Sequence, residues 1–294
     1  MDSRPFVLID LFFRKRGIYI MEKEKKGKRT RYGKIVSNVI LVFAVAVFLF
    51  SGYKLFTIYS EYGKGEKEYD DVLDSVVIEQ HVEGEGKGEK KETVFKVDFE
   101  KLRSLNGEAV AWIRFDEPSK INYPVVQGPD NAKYLNTTFE GQRNGAGALF
   151  VDADNTSDFS DRNTFIYGHN MKNGSMFGQL RKYKTKSFCE ENPYFYVYTP
   201  DGMESKYQVF AACIVEDTSD SYRKFYSGDK DFEEYLAQIR GCALYDTDTQ
   251  VSADSQIVSL STCTNVSETQ RLLVHGVKVE EKPVANDEAD VTEE

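Results

Sequence analysis

The sequence has few of the residues that bind metals or build disulfide frameworks. It contains four cysteines, at positions 189, 213, 242 and 263, and three histidines in 294 residues. The long, irregular intervals between the cysteines match neither the paired CxxC pattern of a zinc site nor a dense disulfide framework. No HExxH sequence is present. We therefore expect neither a metal nor any other cofactor.

Positive charge is scarce outside the amino-terminal segment. The net charge is −10, yet residues 1–34 contain eleven Lys and Arg against four Asp and Glu, which leaves −17 for residues 35–294. A phosphate-binding surface needs clustered Lys and Arg. This distribution argues against a nucleic-acid partner.

A long apolar run follows the basic segment directly, as expected for a membrane helix with a basic flank. Residues 35–53 carry no formal charge and include ILVFAVAVFLF, and a helix needs about 20 apolar residues to cross a bilayer. The basic flank places the amino terminus in the cytoplasm and the following chain outside the cell membrane. A cleaved signal peptide is the alternative, but its apolar region usually has roughly 7–15 residues and ends at a small-residue site. No such site follows directly.

Residues 1–20 fit this arrangement poorly. The apolar stretch PFVLIDLFF is interrupted by Asp10 and followed by Arg14, Lys15 and Arg16, so it cannot span a membrane. Starting at Met21 gives MEKEKKGKRTRYGK directly before the apolar run. We expect Met21 to be the native start and residues 1–34 to be cytoplasmic.

Three segments are expected after the membrane helix. Residues 54–93 should form a helix that leaves the bilayer and then a flexible linker, because GEGKGEKKE is glycine-rich and charged. The folded domain should cover residues 94–280, opening with a short helix at Asp98–Leu102. The polar, acidic residues 281–294 should be a disordered tail.

The folded domain has the pattern of a mainly β protein. Eight short β-branched and aromatic runs are separated by turn residues, and one amphipathic helix is expected over Asp229–Arg240. Many short strands with few helices favour a closed eight-stranded barrel, which leaves no exposed sheet edge. The predicted strands are AVAWIRF, INYPVVQG, GALFVDA, NTFIYGH, YFYVYTP, KYQVFAACIVE, QIVSLSTC and RLLVHGVKVE.

Cys263 differs from the other cysteines in its surroundings. It ends an apolar strand among polar side chains, and Arg271 follows on the next predicted strand. A nucleophilic thiol needs access and an electropositive neighbour. Cys213, in VFAACIV, is interpreted as a small buried hydrophobe. Cys189 and Cys242 are interpreted similarly, and a bridge between them stays open.

Of the three histidines, His169 is the best partner for a cysteine nucleophile. It follows the strand FIYG and precedes the loop NMKNG, where an imidazole can reach a cleft. His81 lies beside the predicted linker. His275 ends the apolar stretch RLLVH and is interpreted as a core or edge residue.

These motifs resemble the signature of class B sortases. The resemblance rests on YGHNM at Tyr167–Met171, SLSTCT at Ser259–Thr264 and an arginine eight positions after Cys263. INYPVVQG at Ile121–Gly128 and the helix between strands are also similar, and the likeness runs from Phe99 to Val279. The family motif more often begins with Thr where Ser259 stands, which conserves a hydroxyl.

The resemblance implies a sortase-type barrel outside the membrane of a Gram-positive bacterium. Cys263 would be the nucleophile, His169 the proton-transfer partner and Arg271 the clamp for the carbonyl oxygen. The partners would be the sorting-signal peptide of surface proteins and an amine of a peptidoglycan precursor. Three further residues are expected to bind substrate: Ser261, Thr262 and Asn170.

Two other functions remain open from the sequence. A cell-envelope cysteine peptidase would use the same residues but let water resolve the thioacyl intermediate. A non-catalytic surface-binding barrel anchored by one helix would make Cys263, His169 and Arg271 coincidental. An assay with and without an amine acceptor separates the sortase from the peptidase. Thiol alkylation that left every activity intact would favour the surface-binding barrel.

Overall fold

The computed structural model describes residues 6–82 and 92–284, without the side chains of residues 6–31, 58, 79–82 and 92–94. The chain divides into two compact units, Met1–Ser60 and Glu61–Glu294. Part of the predicted linker and most of the predicted tail therefore lie outside the described residues.

The first helix, α1, spans Phe6–Val76. Within the described part of the chain, Tyr32–Val76 is the one stretch of helix long and apolar enough to cross a membrane, and its most apolar 18 residues have a mean hydropathy of 2.5. Apolar side chains such as Ile40 and Phe48 are exposed. These properties agree with the predicted anchor in length and composition.

The second unit contains the predicted barrel. Eight strands close in the order β10-β8-β7-β3-β4-β5-β6-β9, and the pairs β4–β5 and β6–β9 are parallel while the rest are antiparallel. All eight predicted strands are present, so the predicted fold class is confirmed. The strands are β3 (Ala109–Phe115), β4 (Asn122–Val126), β5 (Leu149–Val151), β6 (Asn163–Tyr167), β7 (Tyr194–Tyr198), β8 (Met203–Glu216), β9 (Ile257–Cys263) and β10 (Gln270–Pro283).

Three further α-helices lie outside the barrel in the described part of the second unit. Helix α2 (Phe99–Leu105) begins where the Asp98 side chain accepts from the backbone N–H of Lys101, a standard N-terminal cap. Helix α3 covers Lys186–Glu191 and α4 covers Asp229–Cys242. The four apolar positions predicted for the inner face of α4 are all buried: Phe232, Tyr235, Leu236 and Ile239.

The side chains of the barrel strands belong to two separate hydrophobic clusters, because they alternate between the two faces of the sheet. Val258 and Leu260 of β9 belong to the large inner cluster, whereas Ile257 belongs to a second cluster beneath α4, with Phe210 and Leu273. Successive side chains of a strand point to opposite faces. The odd-numbered residues of β9 therefore face α4 and the outer surface.

The sequence did not predict a small hairpin before the barrel. Strands β1 (Val77–Val82) and β2 (Glu92–Val97) pair antiparallel, where a helix end and a linker were expected. β10 also continues to Pro283, three residues into the expected tail, because its end pairs with β8. The charged, glycine-rich run between β1 and β2 gave no sign of their pairing in the sequence. The acidic composition of residues 281–294 likewise gave no sign that β10 extends to Pro283.

The cysteine interpretation needs a correction. Cys213 is bonded to Cys242 in a disulfide that joins β8 to the end of α4, whereas Cys213 was expected to be a free buried hydrophobe. Cys189 is buried and free, so the bridge from Cys189 to Cys242 is excluded. The pairing depends on how α4 packs on β8, which sequence spacing does not specify.

Candidate active site

Cys263 and Arg271 are placed side by side by the pairing of two strands. Cys263 is the last residue of β9, and its direct partner on antiparallel β10 is Arg271. Cα atoms of such a pair lie roughly 4.5–5.5 Å apart, with both side chains on the same face. The predicted positive neighbour of the thiol is therefore built into the sheet.

His169 lies just beyond the end of β6, the strand that borders β9 on the side opposite β10. β6 runs parallel to β9 with Asn163 opposite Ile257 and Tyr167 opposite Ser261. The next backbone bond, from the N–H of Gly168 to the carbonyl of Ser261, is 3.1 Å long. Extended two residues beyond the end of β6, this register would place His169 opposite Cys263.

The glycine before His169 is required by packing. A Cβ atom at Gly168 would lie 2.3 Å from a side-chain atom of Leu149 and 2.7 Å from one of Phe177. Real Cβ atoms do not approach so closely, so any side chain here would have to displace the side chains of Leu149 and Phe177. The glycine of the YGHNM motif thus helps to set the position of His169.

The imidazole of His169 is held by a backbone carbonyl. Its Nε2 lies 2.7 Å from the oxygen of Leu135. A carbonyl only accepts hydrogen bonds, so Nε2 carries the proton. This leaves Nδ1 as the ring nitrogen available for proton transfer.

Asn170 connects the loop after His169 to the strand that ends at Cys263. We call residues 168–178 the histidine loop. The Asn170 amide nitrogen donates to the backbone oxygen of Cys263 at 2.7 Å. Asn265 donates back to the Asn170 carbonyl at 3.3 Å, and its positive φ of 62° is a conformation that Asn tolerates better than most residues.

Arg271 is oriented by three acceptors. Its Nη1 donates to the backbone oxygens of Glu268 at 2.6 Å and Gln270 at 3.3 Å. Its Nη2 donates to the Asp217 carboxylate at 3.1 Å. The Arg271 side chain is 22% exposed, so the guanidinium is fixed but accessible.

A tyrosine on a separate segment closes one side of the site. The hydroxyl of Tyr222 lies 2.7 Å from that of Ser261, and its ring stacks near those of Phe165 and Tyr167. Burial raises the pKa of Tyr222 to about 12. Its hydroxyl is therefore neutral near pH 7 and serves as a hydrogen-bond group rather than a base.

The three residues expected to bind substrate occupy different environments. Ser261 is buried and bonded to Tyr222, while Asn170 is half-buried and holds the backbone of Cys263. Thr262 is buried on the opposite face of β9 from Cys263, and its hydroxyl has no hydrogen-bond partner in the described part of the chain. Their substrate contacts stay predictions.

The remaining cysteines do not offer a reactive thiol. Cys213 and Cys242 are bonded to each other, and Cys189 is 2% exposed. Burial raises the pKa of the Cys189 thiol, which keeps it protonated. Cys263 is thus the one free, partly exposed cysteine, and all four cysteines lie within the described residues.

His275 is excluded from proton transfer by its burial. It is 0% exposed, with Nδ1 at 2.7 Å from the Ser259 hydroxyl. Burial lowers its pKa to about 3, so it stays neutral at any working pH. The side chain of His81 lies outside the described residues.

Sequence reasoning missed the supporting residues Leu135, Asp217 and Tyr222. Leu135 and Tyr222 end short 3₁₀ helices and Asp217 follows β8, and each is far along the chain from the residue it contacts. Leu135 acts through its backbone oxygen, which no residue type reveals. Only the position of Asp217 directly after β8, whose last residues pair with Gln270 and Arg271, offered a signal.

Comparison with known proteins agrees with this geometry. The Sortase domain model matches residues 117–279. Sortase B of Listeria monocytogenes is 34% identical over 236 residues, which cover 79% of this chain and 89% of that protein. The crystal structure of sortase B from Bacillus anthracis in complex with AAEK1 is 31% identical with a TM-score of 0.63, covering 76% of this chain and all of that one. The Staphylococcus aureus sortase B–substrate complex is 30% identical with a TM-score of 0.58, covering 64% and 85%.

The matched region contains the barrel strands β4 to β9, most of β10, and all three motifs. More than half of this chain matches the family model, and a curated relative above 30% identity covers most of it. The chain therefore belongs to the sortase family of cysteine transpeptidases, within its class B.

Proposed function

We propose that this protein cleaves the carboxy-terminal sorting signal of surface proteins and transfers the acyl group to an amine of a cell-wall precursor. One observation carries the assignment of the nucleophile. Cys263 is the one free and accessible thiol, Arg271 is its pairing partner on β10, and His169 follows the end of β6, which pairs with β9 on its other side. A relative has been crystallised as a sortase B–substrate complex.

The first half-reaction is acylation of Cys263. The thiolate attacks the carbonyl carbon of the threonine in the sorting signal, a C–S bond forms and the peptide C–N bond breaks. Negative charge develops on the carbonyl oxygen, and the Arg271 guanidinium donates to it. His169, as imidazolium, gives its Nδ1 proton to the departing amine.

The second half-reaction returns the enzyme to its starting state. An incoming amine attacks the thioester carbon, neutral His169 accepts its proton, and the C–S bond breaks to release the Cys263 thiolate. The new product is an amide. Water in place of the amine would give hydrolysis, the reaction of a cysteine peptidase.

We further propose that the apolar part of α1 anchors the enzyme in the cell membrane, with the amino terminus in the cytoplasm and the barrel outside. The supporting observations are the uncharged run at residues 35–53 and the basic residues before it. The anchor would keep the barrel near membrane-bound precursors. Its orientation is tested by labelling Cys263 in intact cells with a membrane-impermeant thiol reagent.

A library of sorting-signal peptides, supplied with and without an amine acceptor, tests the enzymatic proposal. We expect ligated peptide with the acceptor, a covalent adduct on Cys263 by mass spectrometry, and no turnover by Cys263→Ala. Cys189→Ala is the matched control, because it removes a buried free thiol and should retain activity. Cleaved but never ligated peptide would favour the peptidase, and an adduct on Cys189 would overturn the assignment of the nucleophile.

A further inference from the structure

The barrel-proximal part of α1 belongs to the same compact unit as the active site. Residues 61–76 lie in the unit that begins at Glu61. Their apolar face is part of the main core, with Tyr69 5%, Val72 1% and Val76 0% exposed. This part of the helix is therefore folded against the barrel rather than free in solvent.

Helix α1 also forms hydrogen bonds to the segment that contains Leu135, whose carbonyl is bonded to His169. That segment, residues 132–147, includes Leu135 and leads into β5. The Tyr69 hydroxyl donates to the backbone oxygen of Gly147 at 2.6 Å and accepts from the N–H of Phe139 at 3.2 Å. One buried hydroxyl thus satisfies two backbone groups of the 132–147 segment.

Two more contacts join the same partners. The Asn144 amide donates to the carbonyl of Glu61 at 2.9 Å, and the N–H of Glu140 donates to the Glu68 carboxylate at 2.9 Å. The position of the Leu135 carbonyl therefore depends on α1 as well as on the barrel.

The helix also holds the histidine loop. The Asn173 amide donates to the Glu66 carboxylate at 3.0 Å. The N–H of Met176 donates to the Tyr123 hydroxyl at 3.1 Å, and the Tyr123 ring packs edge-on against Tyr69 at 5.3 Å between centroids. The loop is closed onto the histidine by the bond from Phe177 N–H to the His169 carbonyl, 3.0 Å.

The histidine loop is also held by packing, since Met176 is 1% and Phe177 0% exposed. A pocket of about 360 Å³, partly open to solvent, lies between α1 and the histidine loop, lined by Tyr62 and Tyr69 on the helix and by Met171, Ser175 and Met176 on the loop. The hydrogen bonds from the loop to Glu66 and Tyr123 add to this packing and fix the loop's position on its polar side.

We infer that residues 61–76 of α1 are a positioning element for His169, with Tyr69 and Glu66 as its positioning residues. Tyr69 fixes the segment whose carbonyl holds Nε2, and Glu66 fixes the loop that follows the histidine. The inference rests on the proposed role of His169.

The test compares two acyl donors with the full chain in detergent. An amide substrate needs a proton from His169 to release its amine, whereas a thioester analogue of the same peptide releases a thiolate that needs none. Tyr69→Phe should lower turnover of the amide about tenfold, a part of the roughly 10²–10⁴ supplied by general acid catalysis. Acylation by the thioester should stay within twofold of the wild type.

Two variants of Glu66 test whether its hydrogen bond to Asn173 or its negative charge matters. Glu66→Ala should show the same selective loss, whereas Glu66→Gln keeps an oxygen that accepts from Asn173 and should retain the wild-type ratio of amide to thioester turnover. Tyr183→Phe is the matched control, because the buried Tyr183 hydroxyl also bonds a backbone carbonyl, that of Asn192. It should leave the ratio unchanged.

Hydrogen exchange provides a readout that does not need activity. In Tyr69→Phe the amide of Phe177 should exchange at least several-fold faster, although Tyr69 does not contact it directly. Equal loss of both acylation rates, or an unchanged ratio with unchanged exchange at Phe177, would overturn the inference. A wild type that processes no sorting-signal peptide would refute the proposed function instead, and exchange at Phe177 would then decide this inference alone.

Discussion

At the scale of single residues, the guanidinium of Arg271, the proposed clamp for the carbonyl oxygen, is already oriented by other residues of the chain. A guanidinium has five N–H donors in a rigid plane. Three hydrogen bonds, to Glu268, Gln270 and Asp217, already fix it. The remaining donors can be aimed at an oxygen on the cysteine side without further ordering, which is the condition for effective stabilisation of an oxyanion.

Replacing Arg271 by lysine tests whether this geometry or the charge alone matters. A lysine ammonium has three donors and no planar fork, so anchoring it to Asp217 and the Glu268 carbonyl leaves at most one for substrate. We expect Arg271→Lys to be nearly as damaging as Arg271→Ala, each lowering kcat by about 10²–10³, as removal of an oxyanion-hole donor does. Steady-state kinetics of both variants check this.

The opposite outcome would be equally informative. If Arg271 supports the Cys263 thiolate only through its charge, lysine should restore most activity, and the pH profile of Cys263 alkylation should change in Arg271→Ala alone. Measuring alkylation rates across pH in both variants separates the two roles. Near-complete rescue by lysine would refute the geometric role.

Much of the site was readable from single residues. Arg271 was predicted as the positive neighbour of Cys263 because it follows on the next strand, eight positions along the chain, and the strand pairing places the two residues opposite each other. His169 was predicted from its place at a strand end. Leu135 and Tyr222 were not, because their contacts depend on tertiary packing of short 3₁₀ helices rather than on any local pattern.

At the scale of secondary structure elements, periodicity predicted strands and helices well and boundaries poorly. The residues that face the core of α4 recur at helical spacing, and the barrel strands show β-branched runs. The β1–β2 hairpin lacks such a signal, because a charged, glycine-rich run lies between its short strands. The buried face of α1 near Val72 was hidden by the acidic residues beside it.

The boundary at Val94 remains a prediction, and the packing of α1 favours an earlier one. A chain truncated before Val94 would lose the buried side chains of Tyr69, Val72 and Val76. Burying one such side chain contributes roughly 1.5–3 kcal/mol, so we expect a loss of several kcal/mol. A chain truncated before Glu61 keeps these contacts and should unfold like the full-length barrel.

Urea denaturation of the two truncated proteins, followed by tryptophan fluorescence, checks the expectation. Trp112, the single tryptophan, is buried in β3 and reports the barrel core. Equal midpoints for both proteins would show that the helix adds no stability and would support the boundary at Val94. A lower midpoint only for the shorter protein would place the boundary near Glu61.

At the scale of the whole molecule, a buried polar network fastens α4 to the barrel. The Ser259 hydroxyl donates to the Asn163 side-chain oxygen at 2.7 Å, and the Asn163 amide donates to the Tyr235 hydroxyl on α4 at 2.9 Å. Since the only hydroxyl proton of Ser259 is used, His275 must donate to it from Nδ1. Nε2 of His275 is then a buried acceptor with no partner among the described residues.

This arrangement makes the stability of the fold depend on pH through His275. Adding a proton at Nε2 would bury a charge that no acceptor offsets, and burial lowers the pKa of His275 from 6.5 to about 3. Below pH 6.5 the unfolded chain binds this proton and the folded chain does not, so stability falls as the pH falls. At about 1.36 kcal/mol per pH unit, the loss between pH 7.5 and pH 5 should be roughly 2 kcal/mol.

His275→Asn tests the pH dependence without removing the donor, because an asparagine amide can replace Nδ1–H toward Ser259. The variant should be less stable at pH 7.5 owing to lost packing, but its free energy of unfolding should fall about 2 kcal/mol less between pH 7.5 and pH 5. His81, His169 and the carboxylates are common to both proteins and cancel in this difference. Urea titrations at both pH values measure it, and parallel pH dependences would show that His275 takes up its proton in the folded state.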